Sequence, residues 1–195
     1  LFRSDPVYAS TVNNLVARTS KVEYTGETQS WHLLHYLVEE IGLDKIRDAV
    51  KNPLKMNIAA YYGPDMQREG ACAGDDPFMP SYMEQLIEAL GGTPVDYESK
   101  CMSVGSTSML TLEDSSLAMT AAVLSDAIES GAELVVSACT MSHINLDSYQ
   151  SKAGRVSGKT TTVPVCHLSE MVAFALGFYP DRLAQLRTRV RLIGS

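Results

Sequence analysis

Glu133-Leu134-Val135-Val136-Ser137-Ala138-Cys139-Thr140-Met141-Ser142-His143 decides the fold. Glu133 to Ala138 forms a short, mostly apolar run with Val135-Val136 at its centre, preceded by Gly131. It predicts a buried strand with Cys139 just past its end. A short polar helix follows, to about Ser151. Upstream, Thr111-Leu112-Glu113-Asp114 has the form of a capping box, and Leu117, Ala121, Leu124 and Ile128 share one helical face that closes at Gly131. Strand, turn and helix therefore alternate around this segment.

The alternation continues in both directions. Met56 to Gly63 reads as a buried strand closed by glycine, and Val95 to Glu98 as a second strand. Between them Ser81-Tyr82-Met83-Glu84 resembles another capping box, with Met83, Leu86, Ile87 and Leu90 on one face and Gly91-Gly92 as the stop. Downstream lie a loop from Lys152 to Thr162, a strand at Val163 to Val165, and helical patterns at Leu168–Leu176 and Asp181–Val190. Near the start, Asp5-Pro6 predicts a helix start and Tyr24 to Glu27 a turn. Trp31 to Val50 reads as two short helices or one bent helix interrupted at Gly42, and Pro53 ends the run.

Strands joined through helices predict an α/β domain in three layers, a mainly parallel sheet with flanking helices. The expected division is a helical lead-in over 1–52 and the α/β domain over 53–195. In such sheets ligands gather beyond the carboxyl ends of the strands. Three loops leave those ends here: Gly63-Pro64, Met102 to Ser106, and Cys139 to His143.

Composition bounds the function. The chain has 195 residues, 45% hydrophobic and 20% charged, enough apolar material to bury a core. Its net charge of −7 argues against nucleic acid as a partner. No run of ~18 apolar residues and no signal-like N-terminus occurs, which predicts a soluble cytoplasmic protein without a transmembrane segment. Leu1 as the first residue points to a fragment or trimmed product. The four cysteines, Cys72, Cys101, Cys139 and Cys166, form no CxxC and no close pair, so they read as thiols in a reducing compartment. No GxGxxG, Walker loop, HExxH or GxSxG is present.

Several residues invite chemistry, each beside a plainer role. Cys139 opens a helix, whose positive end favours thiolate, and His143 follows four residues later. The plainer reading is a small buried hydrophobe with a surface or capping histidine. Cys166-His167 after the last strand poses the same choice. Zinc held by Cys139, His143, Cys166 and His167 matches no standard ligand spacing. Cys101 could approach Cys139 if their strands are neighbours. Cys72 sits among small residues as an incidental thiol. His32 and His35 begin a helical pattern, where capping or surface roles are expected.

A set of strings in one order resembles the B subunit of heterodisulfide reductase and its relatives, built from cysteine-rich CCG domains. These are Tyr24 to Glu27 with His32-Leu33-Leu34, Gly42 to Ile46, Pro53 to Lys55, Ala59 to Gly63, Asp75 to Pro77, Leu86 to Gly91, Pro94 to Tyr97, Met109 to Asp114, Ala138 to Asp147, and Pro164 to Leu168. The resemblance covers the linker and the second CCG domain. It implies an unusual iron–sulfur cluster held by a Cys after the first strand, a Cys-Cys-Gly in the middle loop and a Cys-x-x-Cys after the third strand. In this chain those positions are Pro64, Ser103-Val104 before Gly105, and Cys139 with Ser142. Only Cys139 is retained, with Cys101 two residues before the expected pair, and one or two thiols should not retain a multi-iron cluster.

Three functions follow from the resemblance. The first is a component of a heterodisulfide-reductase-like redox complex, partly architectural and without its own cluster, beside an iron–sulfur or flavin subunit. The second is attack by Cys139, alone or with Cys101, on a disulfide or persulfide, with His143 or His167 tuning the thiol. The third is a zinc or mononuclear metal protein using the remaining Cys and His, or a non-catalytic interaction module.

Overall fold

The computed structural model of the chain describes residues 3–20, 22–28, 30–67 and 74–178. The helical pattern at Asp181–Val190 and Cys72 lie outside the described residues. The chain divides into two compact units, Leu1–Trp31 and His32–Ser195.

In the first unit, α1 (Pro6–Thr19) starts where the sequence predicts: Asp5 caps it by accepting from the amides of Val7 and Tyr8. Asn13 pairs with the backbone of Tyr24 in both directions, fixing the turn that contains Gly26.

The second unit is built on four parallel strands, β1 (Asn57–Tyr61), β2 (Thr93–Val95), β3 (Leu134–Ser137) and β4 (Val165–His167), in the order β2-β1-β3-β4. β1 and β3 are central, and alternation along them fills two cores. Ile58, Ala60, Leu134 and Val136 pack on one face with α4 (Tyr82–Ala89), α8 (Leu168–Ala175) and, from the N-terminal side, Leu34 and Ile46. Ala59, Tyr61 and Val135 pack on the other with α5 (Glu113–Glu129) and Leu146 of α6 (Thr140–Ser148). α7 (Gln150–Ser157) adds Ala153 to a smaller cluster with Leu117 and Ala121. This is the three-layer α/β arrangement with a parallel sheet and flanking helices. Residues 32–52, from the expected lead-in, supply core to this layer through α2 (Leu33–His35), a π-helical stretch Tyr36–Ile41, and α3 (Leu43–Ala49).

Some local expectations are corrected. β2 ends at Val95 rather than running from Val95 to Glu98, because its pairing with β1 runs out there and Glu98–Cys101 coils into a 3-10 turn. β4 begins at Val165, since Pro164 has no amide to donate and contributes only its carbonyl, to Val135. Cys166 and His167 thus lie in β4 rather than after it. Part of the expected Lys152–Thr162 loop is helix α7, closed by Gly158 at φ 69°.

Neither expected capping box forms. The hydroxyl of Ser81 makes no cap to α4; Asp75 reaches in from the preceding loop and accepts from the amides of Ser81 and Tyr82. α5 starts at Glu113 without a side-chain cap.

Candidate functional site

The chain leaves β1, builds β2 on one side, then crosses back to build β3 on the other, so the carboxyl ends of β1 and β3 flank the point where strand order reverses. That is where open parallel sheets bind ligands. Two expected loops meet here. Gly63 has φ 77°, a conformation that favours glycine, and a carbon added to it would lie 3.1 Å from Cys139 Cβ and 3.4 Å from Ser142 Oγ. Its missing side chain is what lets the first loop approach the start of α6.

Cys139 is the N-cap of α6 and half-buried, and its amide donates to Ser137 Oγ at 3.3 Å. Ser142, one turn on, is only 3% exposed and lies beside the hydroxyl of Tyr61. That hydroxyl donates to the carbonyl of Met102 at 2.8 Å. Burial, first of all, pushes the Tyr61 phenol up to about 12, so it stays protonated and serves as a donor.

The middle loop is equally occupied. Val104 is buried, and its carbonyl accepts from Asn145 Nδ2 at 2.9 Å and Thr120 Oγ1 at 3.0 Å. Asn145 also donates to Ser116 Oγ, and Ser116 donates to the Gly105 carbonyl at 2.9 Å. Gly105 itself has φ 72°, and a carbon there would meet Ser116 Cα at 2.9 Å. Ser103 Oγ accepts from the Gly105 amide. Pro64 is exposed and opens the 3-10 turn Pro64–Gln67.

Cys101 ends the 3-10 turn after β2 and packs on the α4 side of the sheet; burial raises its thiol. Cys166 is buried on that same face, and burial holds its thiol far above the usual range. Cys101, Cys139 and Cys166 are free thiols. Zinc through Cys139, His143, Cys166 and His167 is not assembled: among the described residues no three His, Cys, Asp or Glu side chains converge as a metal-holding group.

The histidines, however, gather. The rings of His143 and His167 meet edge to face with centroids 5.9 Å apart, and those of His32 and His35 lie 5.6 Å apart. His32 caps α2, one of the roles its sequence position allows, whereas His35 is buried rather than at the surface. His167 caps α8 through Nδ1, which accepts from the Ser169 amide, while Glu170 accepts from the His167 amide.

Of the expected cluster positions, the fold brings Cys139, Ser142 and the Gly63-Pro64 turn together and sets Val104 nearby. The donors do not fit a multi-iron cluster. Cys139 and Cys101 are the half-buried thiols here, the former beside Ser142 rather than a second cysteine, and the carbonyls of Val104 and Gly105 in the middle loop are held by Asn145, Thr120 and Ser116. Tyr61, Asn145, Ser116 and Thr120 carried no signal of their own in the sequence, since each is an ordinary residue of a strand or helix until the loops are folded over it.

Comparison with known proteins agrees with this fold. No family model matches the chain. It is 28% identical over 184 residues to the B subunit of ferredoxin:CoB-CoM heterodisulfide reductase from Methanosarcina mazei, covering 93% of this chain and 61% of that protein. It is 29% identical over 168 residues to the 8-methylmenaquinol:fumarate reductase membrane anchor subunit of Wolinella succinogenes, covering 85% of this chain and 58% of the relative. A protein of Archaeoglobus profundus described as like the heterodisulfide reductase B subunit is 26% identical, again over 93% of this chain and 62% of its own length. The chain thus spans about three-fifths of the curated relatives it matches. A crystal structure of a hypothetical protein from Helicobacter pylori superposes with a TM-score of 0.70 at 12% identity, covering 99% of this chain and 34% of the other, and bears on the fold alone. Among the described residues no helix is long and apolar enough to cross a membrane.

Proposed function

We propose that this relative of the heterodisulfide reductase B subunit is a cytoplasmic component of a heterodisulfide-reductase-like oxidoreductase complex, partly architectural and without an iron–sulfur cluster of its own. Electron transfer then belongs to partner subunits carrying iron–sulfur or flavin groups, and the substrate of the whole assembly is a disulfide or another sulfur compound.

One observation carries this reading. The strand-end edge offers one half-buried thiol at an expected cluster position, Cys139, with half-buried Cys101 before the middle loop, while Pro64, Ser103, Val104 and Ser142 stand where further thiols would be needed. Multi-iron clusters need several thiolates, because soft anionic sulfur both binds iron and offsets its charge. Serine hydroxyls near neutral pH do neither. Iron, sulfide and zinc analysis of anaerobically purified protein tests it. The expected result is none of the three in stoichiometric amount; iron with sulfide would overturn the reading, and stoichiometric zinc would support the metal-protein alternative.

A second reading keeps chemistry at Cys139, because this half-buried residue stands at the N-cap position of a nine-residue helix. There the thiolate attacks one sulfur of a disulfide, a mixed disulfide forms and the other sulfur leaves as thiolate. Loss of thiol–disulfide exchange in Cys139→Ala would support it, and unchanged exchange would remove it.

A further inference from the structure

His32 is bound on both sides of its ring. Nδ1 accepts from the amide of Leu34 at 3.2 Å, capping α2, while Nε2 lies 3.2 Å from the carbonyl of Ala138, the last residue before Cys139. An acceptor at Nδ1 and a donor at Nε2 are available together only in the neutral ring with its proton on Nε2. A second proton would place N–H against N–H at Leu34. It would break the cap and set a positive charge at the amino end of a helix, where the dipole opposes it.

We infer that His32 is a proton-operated latch, which in its neutral form ties the first turn of α2 to the end of β3 and in acid releases α2. The tie matters because Leu34 is fully buried in the core beneath the sheet, and because the Ala138 carbonyl belongs to the peptide that delivers Cys139 to the site.

The groups facing the latch act in the same sense. His35 on its own helix and His167 on β4 both disfavour a charge on His32. His167 in turn faces His143 of α6 and Glu170 of α8, and His35 faces Glu39, Asp75 and the ring of Tyr82. The carboxylates sit against His35 and His167, not against His32. Burial is the largest effect on His32 and lowers its affinity for a proton from the ordinary 6.5, against a smaller opposing effect of the Ala138 carbonyl.

The sign follows. A histidine whose folded affinity is depressed contributes stability that is complete above 6.5 and is lost as pH falls towards the folded value. The latch is therefore closed near neutrality and opens in mild acid.

Histidine-resolved NMR titration with amide hydrogen exchange tests it on the full chain. At pH 8 the nitrogen shifts of His32 should report the Nε2–H tautomer; the Nδ1–H tautomer would overturn the proposal without any variant. On acidification His32 should titrate below 6.5, and protection of the Leu34 amide should fall about five- to tenfold, the effect of losing one cap. In His32→Asn, whose side-chain oxygen caps without titrating, Leu34 protection should be the same at pH 5 and pH 8. Titration at or above 6.5 would overturn the latch. So would an acid loss of Leu34 protection that persists in the Asn variant, which would assign it to His35 or His167.

Discussion

Asn145 is the residue on which the middle loop hangs. It is 2% exposed and its amide nitrogen lies within hydrogen-bond distance of Val104 O, Ser116 Oγ and Thr120 Oγ1. Asn145→Ala should cost about 2–3 kcal/mol, from lost bonds to buried partners together with a small cavity, read as a shift in urea midpoint at unchanged slope. Asn145→Asp should cost more, since it sets an acceptor against the Val104 carbonyl. The thiols separate on the same physical grounds. Cys139 is partly open at a helix amino end, and Cys166 is enclosed with its thiol raised by burial. Iodoacetamide at neutral pH should therefore modify Cys139 at least about tenfold faster in the folded state and the two equally in denaturant; equal slow labelling in the folded state would mean that Cys139 is inert. The strand-end location of Cys139 was legible because a short, mostly apolar run ends at it. The company it keeps was not, because Tyr61 and Gly63 come from a distant segment whose approach to Cys139 and Ser142 depends on the missing side chain of Gly63.

At the scale of elements, α4 shows how a local rule is overridden. Ser81 and Glu84 have capping-box spacing, yet Asp75 takes the cap, and Glu84 turns away to accept from the Tyr62 hydroxyl and to pair with Lys100 at 2.8 Å. Lys100 also donates to the Pro80 carbonyl, so the end of β1, the turn after β2 and the start of α4 are joined through one carboxylate. Asp75→Ala should destabilise the fold by about 1–2 kcal/mol, whereas Ser81→Ala should cost less than half of that, in paired thermal or urea melts. The reverse order would restore the capping box. The long helices and central strands were readable from period and apolar runs. The ends of β2 and β4 were not, because both are outer strands whose extent depends on where pairing with a neighbour stops and on a proline that cannot donate.

At the scale of the molecule, the order β2-β1-β3-β4 places the point where strand order reverses at the carboxyl ends of β1 and β3, where Cys139, Ser142 and Gly63 meet. The resemblance to the heterodisulfide reductase B subunit was legible because it rests on strings spread along the whole sequence. The fate of the cofactor position depends on what occupies a few loop positions in space. An edge this short of thiol ligands should take up no cluster in anaerobic reconstitution with ferrous iron and sulfide under reducing conditions, followed by desalting, iron analysis and a visible spectrum. The expected result is well under one iron per chain and no broad absorbance near ~400 nm; about four irons per chain with that band would contradict the loss of the cluster.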